Sequence, residues 1–144
     1  MSSEKLTLEQ ARTIISAALD HGRQADMNPL CVVVLDAGGH LKAFEREDGV
    51  SNRRFEVAHG KAHGAISMGF NSRNLEALAI DRPHFITSVT AAIGGALVPV
   101  AGGVIVVDGD GNTVGAVGIS GDTSDNDEEA AIAGINAAGL MPKG

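Results

Sequence analysis

Two apolar runs, each followed by turn residues and a second extended run, constrain this chain more than any other feature. The stretch Leu30-Cys31-Val32-Val33-Val34-Leu35 is too short and too β-branched for a helix and reads as a buried strand. Asp36-Ala37-Gly38-Gly39 supplies turn chemistry, and residues His40 to Arg46 then alternate like a half-exposed strand. The pattern returns as Gly103 to Asp108, the turn Gly109-Asp110-Gly111-Asn112, and Thr113 to Ile119. Hairpins impose antiparallel pairing, so the expected fold is α+β, a mainly antiparallel sheet covered by helices rather than a Rossmann-type parallel sheet.

The helices are marked by period and caps. Thr7 and Gln10 have capping-box spacing, and Leu8, Ala11, Ile14, Ile15, Ala18 and Leu19 recur at helical intervals, predicting a helix from Leu8 to Ala25 that Asn28-Pro29 ends. Ser51 is the expected cap of a second helix running to Met68, with Phe55, Ala58, Ala62, Ala65 and Ile66 facing inward and Gly69 terminating it. Ser72 opens a short helix through Leu75 and Leu78. The segment from His84 to Leu97 stays open between helix, loop and strand. Asp125 and Glu128 fit the cap of a last helix that continues from Ala130 to Ala138.

A length of 144 residues suits a single domain over 1–144, and no repeat, linker or low-complexity tract divides it. Gly (19) and Ala (21) make up 40 residues, so elements must pack closely, backbone against backbone. Trp and Tyr are absent and the net charge is −7, which argues against nucleic acids or other polyanions as partners. No apolar run reaches the ~18–20 residues of a membrane span, and MSSEKLTLEQ lacks the basic-then-apolar order of a secretory leader. The expectation is a soluble cytoplasmic protein. Cys31 has no cysteine partner and lies within an apolar run, which favours a buried, inert thiol.

Val33-Val34-Leu35-Asp36-Ala37-Gly38-Gly39-His40-Leu41, with Phe44, Arg46, Asp48 and Gly49, resembles the first motif of the GlcG/HbpS-like family, which includes the C-terminal domain of PduO-type proteins. Lys61-Ala62 is similar to that family's Lys-Ala step. Gly102-Gly103-Val104, Gly115 to Gly121, and Asp127-Glu128-Glu129-Ala130 with Ala133-Gly134 resemble its C-terminal signature. The resemblance spans about Leu8 to Ala138. It implies a profilin-like, three-layer α/β/α fold, homo-oligomers with octamers among them, and haem binding or haem degradation. Three positions depart from the family pattern: Ile105 replaces a Pro, Glu47 replaces a Met, and Gly64 replaces the Thr of Lys-Ala-x-Thr-Ala, which here reads Lys61-Ala62-His63-Gly64-Ala65.

His59 and His63 stand four apart, about 40° in helical projection, so both imidazoles can serve one point in space. They are the candidate metal ligands. Gly60 occupies the place where a zinc protease needs its Glu, which argues against a catalytic zinc site. His59 shares its side with Phe55, Ala62 and Ile66 and suits an axial ligand or hydrogen-bonding group beside an apolar pocket; the alternative is two half-exposed histidines on a helix margin. Gly60 and Gly64 each weaken a helix by roughly 1 kcal/mol relative to Ala, so a flat ligand or another helix should approach there.

Arg46 and Lys61 are candidates for clamping propionates or another carboxylate, the alternative for Arg46 being a structural bridge to Asp48 or Asp127. Gly102-Gly103 and Ser120-Gly121 offer backbone amides to an anion, although turns explain the same glycines. The five acids from Asp122 to Glu129 read as a solvated helix start. Calcium is not expected at Asp110-Gly111-Asn112, since Val114 and Val117 occupy later ligand positions. His21 gains from a helix C-terminus, with haem ligation as the other reading, and His84 is a candidate third member beside His59 or His63.

Three functions compete. The first is a small-ligand-binding protein that takes haem or a related anionic ligand through His59, His63, Arg46, Lys61, Gly102 and Gly103, with haem degradation as its extension. The second is a cofactor-independent isomerase or tautomerase of a small hydroxy or keto acid, in which Arg46 anchors the carboxylate and His59, His63 or Lys61 moves a proton. The third is a structural accessory subunit with no small-molecule pocket.

Overall fold

Both hairpins form. The computed structural model describes residues 5–144; the first four, part of the segment read above for a leader, lie outside it. The elements are α1 (Leu8–Gln24), β1 (Cys31–Asp36), β2 (Leu41–Arg46), α2 (Arg54–Met68), α3 (Ser72–Asp81), α4 (Pro83–Ala92), β3 (Gly103–Val107), β4 (Thr113–Ser120), α5 (Ser124–Ala137) and the two-residue β5 (Met141–Pro142). They build a five-stranded sheet in the order β2-β1-β4-β3-β5 with every pair antiparallel. The fold is α+β, as the hairpins require.

Alternation along the strands sends side chains to two unlike layers. Val32 and Val34, Val104 and Val106, and Val117 and Ile119 pack with Ile14, Ile15 and Ala18 of α1 and Ala130, Ala131 and Ile135 of α5. Each fully buried Val, Leu or Ile contributes roughly 1.5–3 kcal/mol relative to exposure, so this branched layer carries most of the apolar burial. The opposite face is built from small residues. Cys31, Val33, Leu35 and Ala116 meet Ala58 and Ala62 of α2. A Cβ on Gly118 would collide with the Ala58 carbonyl, and one on Gly103 with the Lys61 carbonyl, so α2 lies backbone against sheet. A third cluster, Leu75, Ile86 and Leu97, joins α3, α4 and the segment after it.

Local chemistry accounts for most boundaries. Thr7 and Gln10 make the expected capping box, with the Gln10 amide donating to Thr7 Oγ1 and the Thr7 amide to Gln10 Oε1, both at 3.0 Å. Gly69, in the left-handed region at φ 79°, ends α2. Two caps differ from expectation. Ser51 does not cap α2, whose N-cap residue is Arg53; the Ser51 hydroxyl instead accepts from Arg54 Nε at 3.2 Å. At α5 the cap is Thr123, accepting from the Asn126 amide at 3.2 Å, rather than Asp125. The open segment resolves into α4, begun by Pro83, followed by irregular chain from Ile93 to Gly102. No helix among the described residues is long and apolar enough to cross a membrane.

Candidate functional site

The side chains of greatest chemical interest form one row. On β2, Phe44 lies opposite Val33, which places it on the α2 side of the sheet. Its ring centroid is 4.9 Å from that of Phe55. Helical spacing then stacks Phe55 on His59 at 5.7 Å and 19°, and His59 on His63 at 5.5 Å and 21°. His63 Nδ1 is 2.8 Å from the Ala96 carbonyl oxygen. In a neutral ring that contact places the proton on Nδ1 and leaves the Nε2 lone pair open. Burial, helped by the charge of His63, lowers the pKa of His59 from its ordinary 6.5 and favours an uncharged imidazole at neutral pH.

Two clefts adjoin the row and share Phe55. One, of about 310 Å³, is lined by Phe55, Glu56, His59 and Gly60 of α2 and by Gly95 to Val98. The other, of about 530 Å³, is lined by Phe44, Glu45, Arg46 and Phe55. Arg46 is exposed at the end of β2, and no carboxylate lies within 4 Å of it among the described residues. The suggested bridges from Arg46 to Asp48 and Asp127 are therefore not made. An apolar floor runs between an imidazole on one side and a guanidinium on the other.

The Cβ directions of the α2 glycines are filled by the protein's own irregular chain rather than by another helix. A Cβ on Gly60 would lie 2.6 Å from Val98 Cγ2, and one on Gly64 would lie 2.8 Å from Leu97 Cγ. The protein's own chain after α4 is laid along α2, with the Val98 amide donating to the Gly60 carbonyl at 3.0 Å. The cleft beside His59 is what this covering segment leaves open.

Lys61 turns away from the clefts into the interior. Its Nζ donates to the Ile119 carbonyl at 2.9 Å and to Asp127 Oδ2 at 3.1 Å, with both side chains buried. Burial pulls the Lys61 pKa down against the attraction of Asp127, and pushes that of Asp127 up against the attraction of Lys61. Asp127 thus departs from the solvated helix start read for the acidic cluster. Gly102 (φ 126°) makes room for the ammonium, since a Cβ there would lie 2.8 Å from Lys61 Nζ. The Gly103 amide donates to Ser72 Oγ at 2.7 Å and is already engaged. Lys61, Gly102 and Gly103 form one structural knot, separate from His59, His63 and Arg46.

His84 is exposed in the first turn of α4, and no three His, Cys, Asp or Glu side chains among the described residues are arranged to hold a metal ion. His21 Nε2 lies 3.4 Å from Glu129 Oε1 without hydrogen-bond geometry. Cys31 is fully buried, and desolvation raises its thiol to about 11, which fits the inert reading. At the second hairpin tip, Asp108 Oδ1 accepts from the amides of Asp110 and Asn112. Sequence reasoning missed Phe44 as part of the row and the Lys61–Asp127 contact. Period-2 alternation from His40 to Arg46 carried the first, because it puts Phe44 and Arg46 on one face; no local signal carried the second.

The family model described as "Haem degrading protein HbpS-like" matches residues 6–136. Among solved structures, a complex of PduOC with haem superposes with a TM-score of 0.85 at 23% identity, covering 97% of this chain and 99% of that one. HbpS superposes at 0.79 with 28% identity, covering 94% and 92%. Protein ORFY of Klebsiella pneumoniae superposes at 0.85 with 19% identity, covering 96% and 94%. No curated protein gives a significant match.

Proposed function

Because the chain belongs to the HbpS-like family, described as haem-degrading, we propose that it binds haem or a closely related flat, anionic ligand across the two neighbouring clefts that share Phe55, beside the Phe55-His59-His63 row. The observation that supports this reading is the row itself: an imidazole biased toward its neutral form on an apolar floor that ends at Arg46. A neutral imidazole is the protonation state an iron ligand needs. Phe44 and Phe55 offer ring faces to a planar ligand, and Arg46 offers a fork of donors to a carboxylate. The residues present therefore fit haem, with His59 as the iron-facing group, His63 oriented behind it by the Ala96 carbonyl, and Arg46 toward a propionate.

Bound haem would supply the iron and its redox chemistry. The chain's own part is to exclude water along the Phe44-Phe55 floor, keep His59 uncharged and neutralise the acid side chains of the ligand. The family description extends this reading to haem breakdown, and the resemblance extends it to a homo-oligomer. Lys61 has no role in it, since its ammonium is committed to Asp127.

Titration of the purified protein with haemin tests the proposal. A saturable Soret shift is expected, weakened at least tenfold in His59→Ala and more modestly in Arg46→Gln. A featureless titration, or identical spectra for the wild type and both His59→Ala and His63→Ala, overturns it and leaves the isomerase and accessory-subunit readings. Bleaching of bound haem with a reductant and oxygen, compared with free haemin, tests degradation. Light scattering tests the oligomer.

A further inference from the structure

Arg54 is held in an unusual way for a guanidinium close to a protein interior. Its Nε donates to Ser51 Oγ at 3.2 Å and its Nη1 to Ser120 Oγ at 3.1 Å, both neutral hydroxyls, and Ser120 is fully buried. No carboxylate lies within 4 Å of Arg54 among the described residues. An arginine carries five N–H donors, so the two serines leave most of them unused. Each serine oxygen accepts from the arginine, and neither hydroxyl proton has an acceptor among the described hydrogen bonds.

Arg54 lies close enough to Lys61 to oppose its protonation, while the carboxylates that favour it, Asp127 and Glu76, form no ion pair with Arg54. Beside Arg54 is a cleft of about 280 Å³, walled by Asn28, Pro29, Gly49, Val50, Ser51 and Gly121, with the Asn28 amide already donating to Asp122 Oδ1 at 2.9 Å. It shares no lining residue with the clefts at His59. Its backbone walls cannot thicken: Gly49 has φ 89°, and a Cβ on Gly121 would strike the Pro29 carbonyl.

We propose that this cleft is a second binding site, for a small oxyanion, a carboxylate or a phosphate group, held by the unused donors of Arg54 with the Ser51 hydroxyl and positioned from behind by Ser120. The serines pre-set the guanidinium plane, so little side-chain freedom is lost when an anion arrives. The volume is near the lower end of small-molecule pockets, which limits the ligand to a few heavy atoms beyond the anionic group. The overall charge of −7 selects further against long polyanions.

Amide NMR spectra of the protein without haemin, titrated separately with inorganic phosphate and with malonate at constant ionic strength, test the proposal. Saturable shifts confined to Gly49, Val50, Ser51 and Gly121 are expected with at least one of the two probes, and the probe that binds more tightly identifies the class. Arg54→Gln should weaken binding at least tenfold, and Arg53→Gln, on the neighbouring exposed arginine, less than twofold. Should Arg54→Gln fail to fold, Ser51→Ala replaces it, with a threefold or greater loss expected. Non-saturating shifts with both probes, or equal affinities in the wild type and the variant, overturn the site. Haemin titration of the same variants should be unchanged, so the two sites can fail independently.

Discussion

A methyl group at Gly60 would meet the end of the Val98 side chain at 2.6 Å, with the nearest Val98 backbone atom at 3.4 Å, whereas at Gly64 it would meet Leu97 Cα at 3.2 Å. Helix propensity favours Ala over Gly by roughly 1 kcal/mol, and overpacking costs about 1–3 kcal/mol. Val98 is only half-buried and can move its methyl aside at the cost of a χ1 change, but main chain must shift as a unit. Gly60→Ala should therefore fall within about 1 kcal/mol of the wild type, and Gly64→Ala should lose about 1–2 kcal/mol, read from urea midpoints. A Gly64→Ala protein as stable as the wild type would mean that the covering segment yields freely. The glycine spacing announced a close approach, but its agent lies more than thirty residues onward, in a stretch whose periodicity is silent. Cys31 was readable because its neighbours are all apolar. With its thiol raised to about 11 and fully buried, it should react with a disulfide reagent no faster than the protein opens. Rapid labelling of the native protein would contradict that burial.

The buried ammonium and carboxylate of Lys61 and Asp127 join α2 on one face of the sheet to α5 on the other, around the end of β4 at Ile119. Burial disfavours both charges, so the pair fixes geometry more than it adds stability. Lys61→Met strands a buried carboxylate and should cost about 3–5 kcal/mol. Adding Asp127→Asn keeps an oxygen for the Asp122 amide while removing the stranded charge, so the double variant should recover more than half of that loss in urea unfolding. Additive losses would show that the two side chains act separately. This contact spans 66 residues of sequence, and neither partner's neighbourhood signals the other. The hairpins were legible for the opposite reason: their alternation and turn residues are adjacent in the chain. The caps fall between these cases. Ser51 and Asp125 carry plausible cap chemistry, but Arg54 draws the Ser51 hydroxyl away and Thr123 lies better placed than Asp125.

Across the molecule, the layered order followed from the antiparallel hairpins and from the family resemblance, while the joining of the layers depends on polar contacts between distant loops. Asp122 is the clearest of these. Its Oδ1 accepts from the Asn28 amide at 2.9 Å, just after α1, and its Oδ2 from Asn126 Nδ2 at 2.7 Å, within α5. The Asn28 amide above all, then Asn126 and Thr123, hold its carboxyl below the ordinary 3.8. A carboxyl depressed in the folded state binds fewer protons there than in the unfolded chain. Its stabilising contribution is thus complete above the unfolded value and fades as pH falls through the folded one. Asp122→Asn should cost about 1 kcal/mol at pH 7, the scale of one charge-assisted hydrogen bond discounted for solvent screening. That difference should stay level from pH 7 to about 5 and shrink below about 4, as the unfolded chain's carboxyl takes up its proton, until the pH has fallen through the lower, folded value. Thermal unfolding of both proteins between pH 2.5 and 7 provides the comparison. Asp36, also depressed, titrates in both proteins alike and cancels in the difference. A gap that persists unchanged at pH 2.5 would assign the loss to shape rather than charge, and the Asn28 to α5 clasp would then owe its strength to the geometry of the loop.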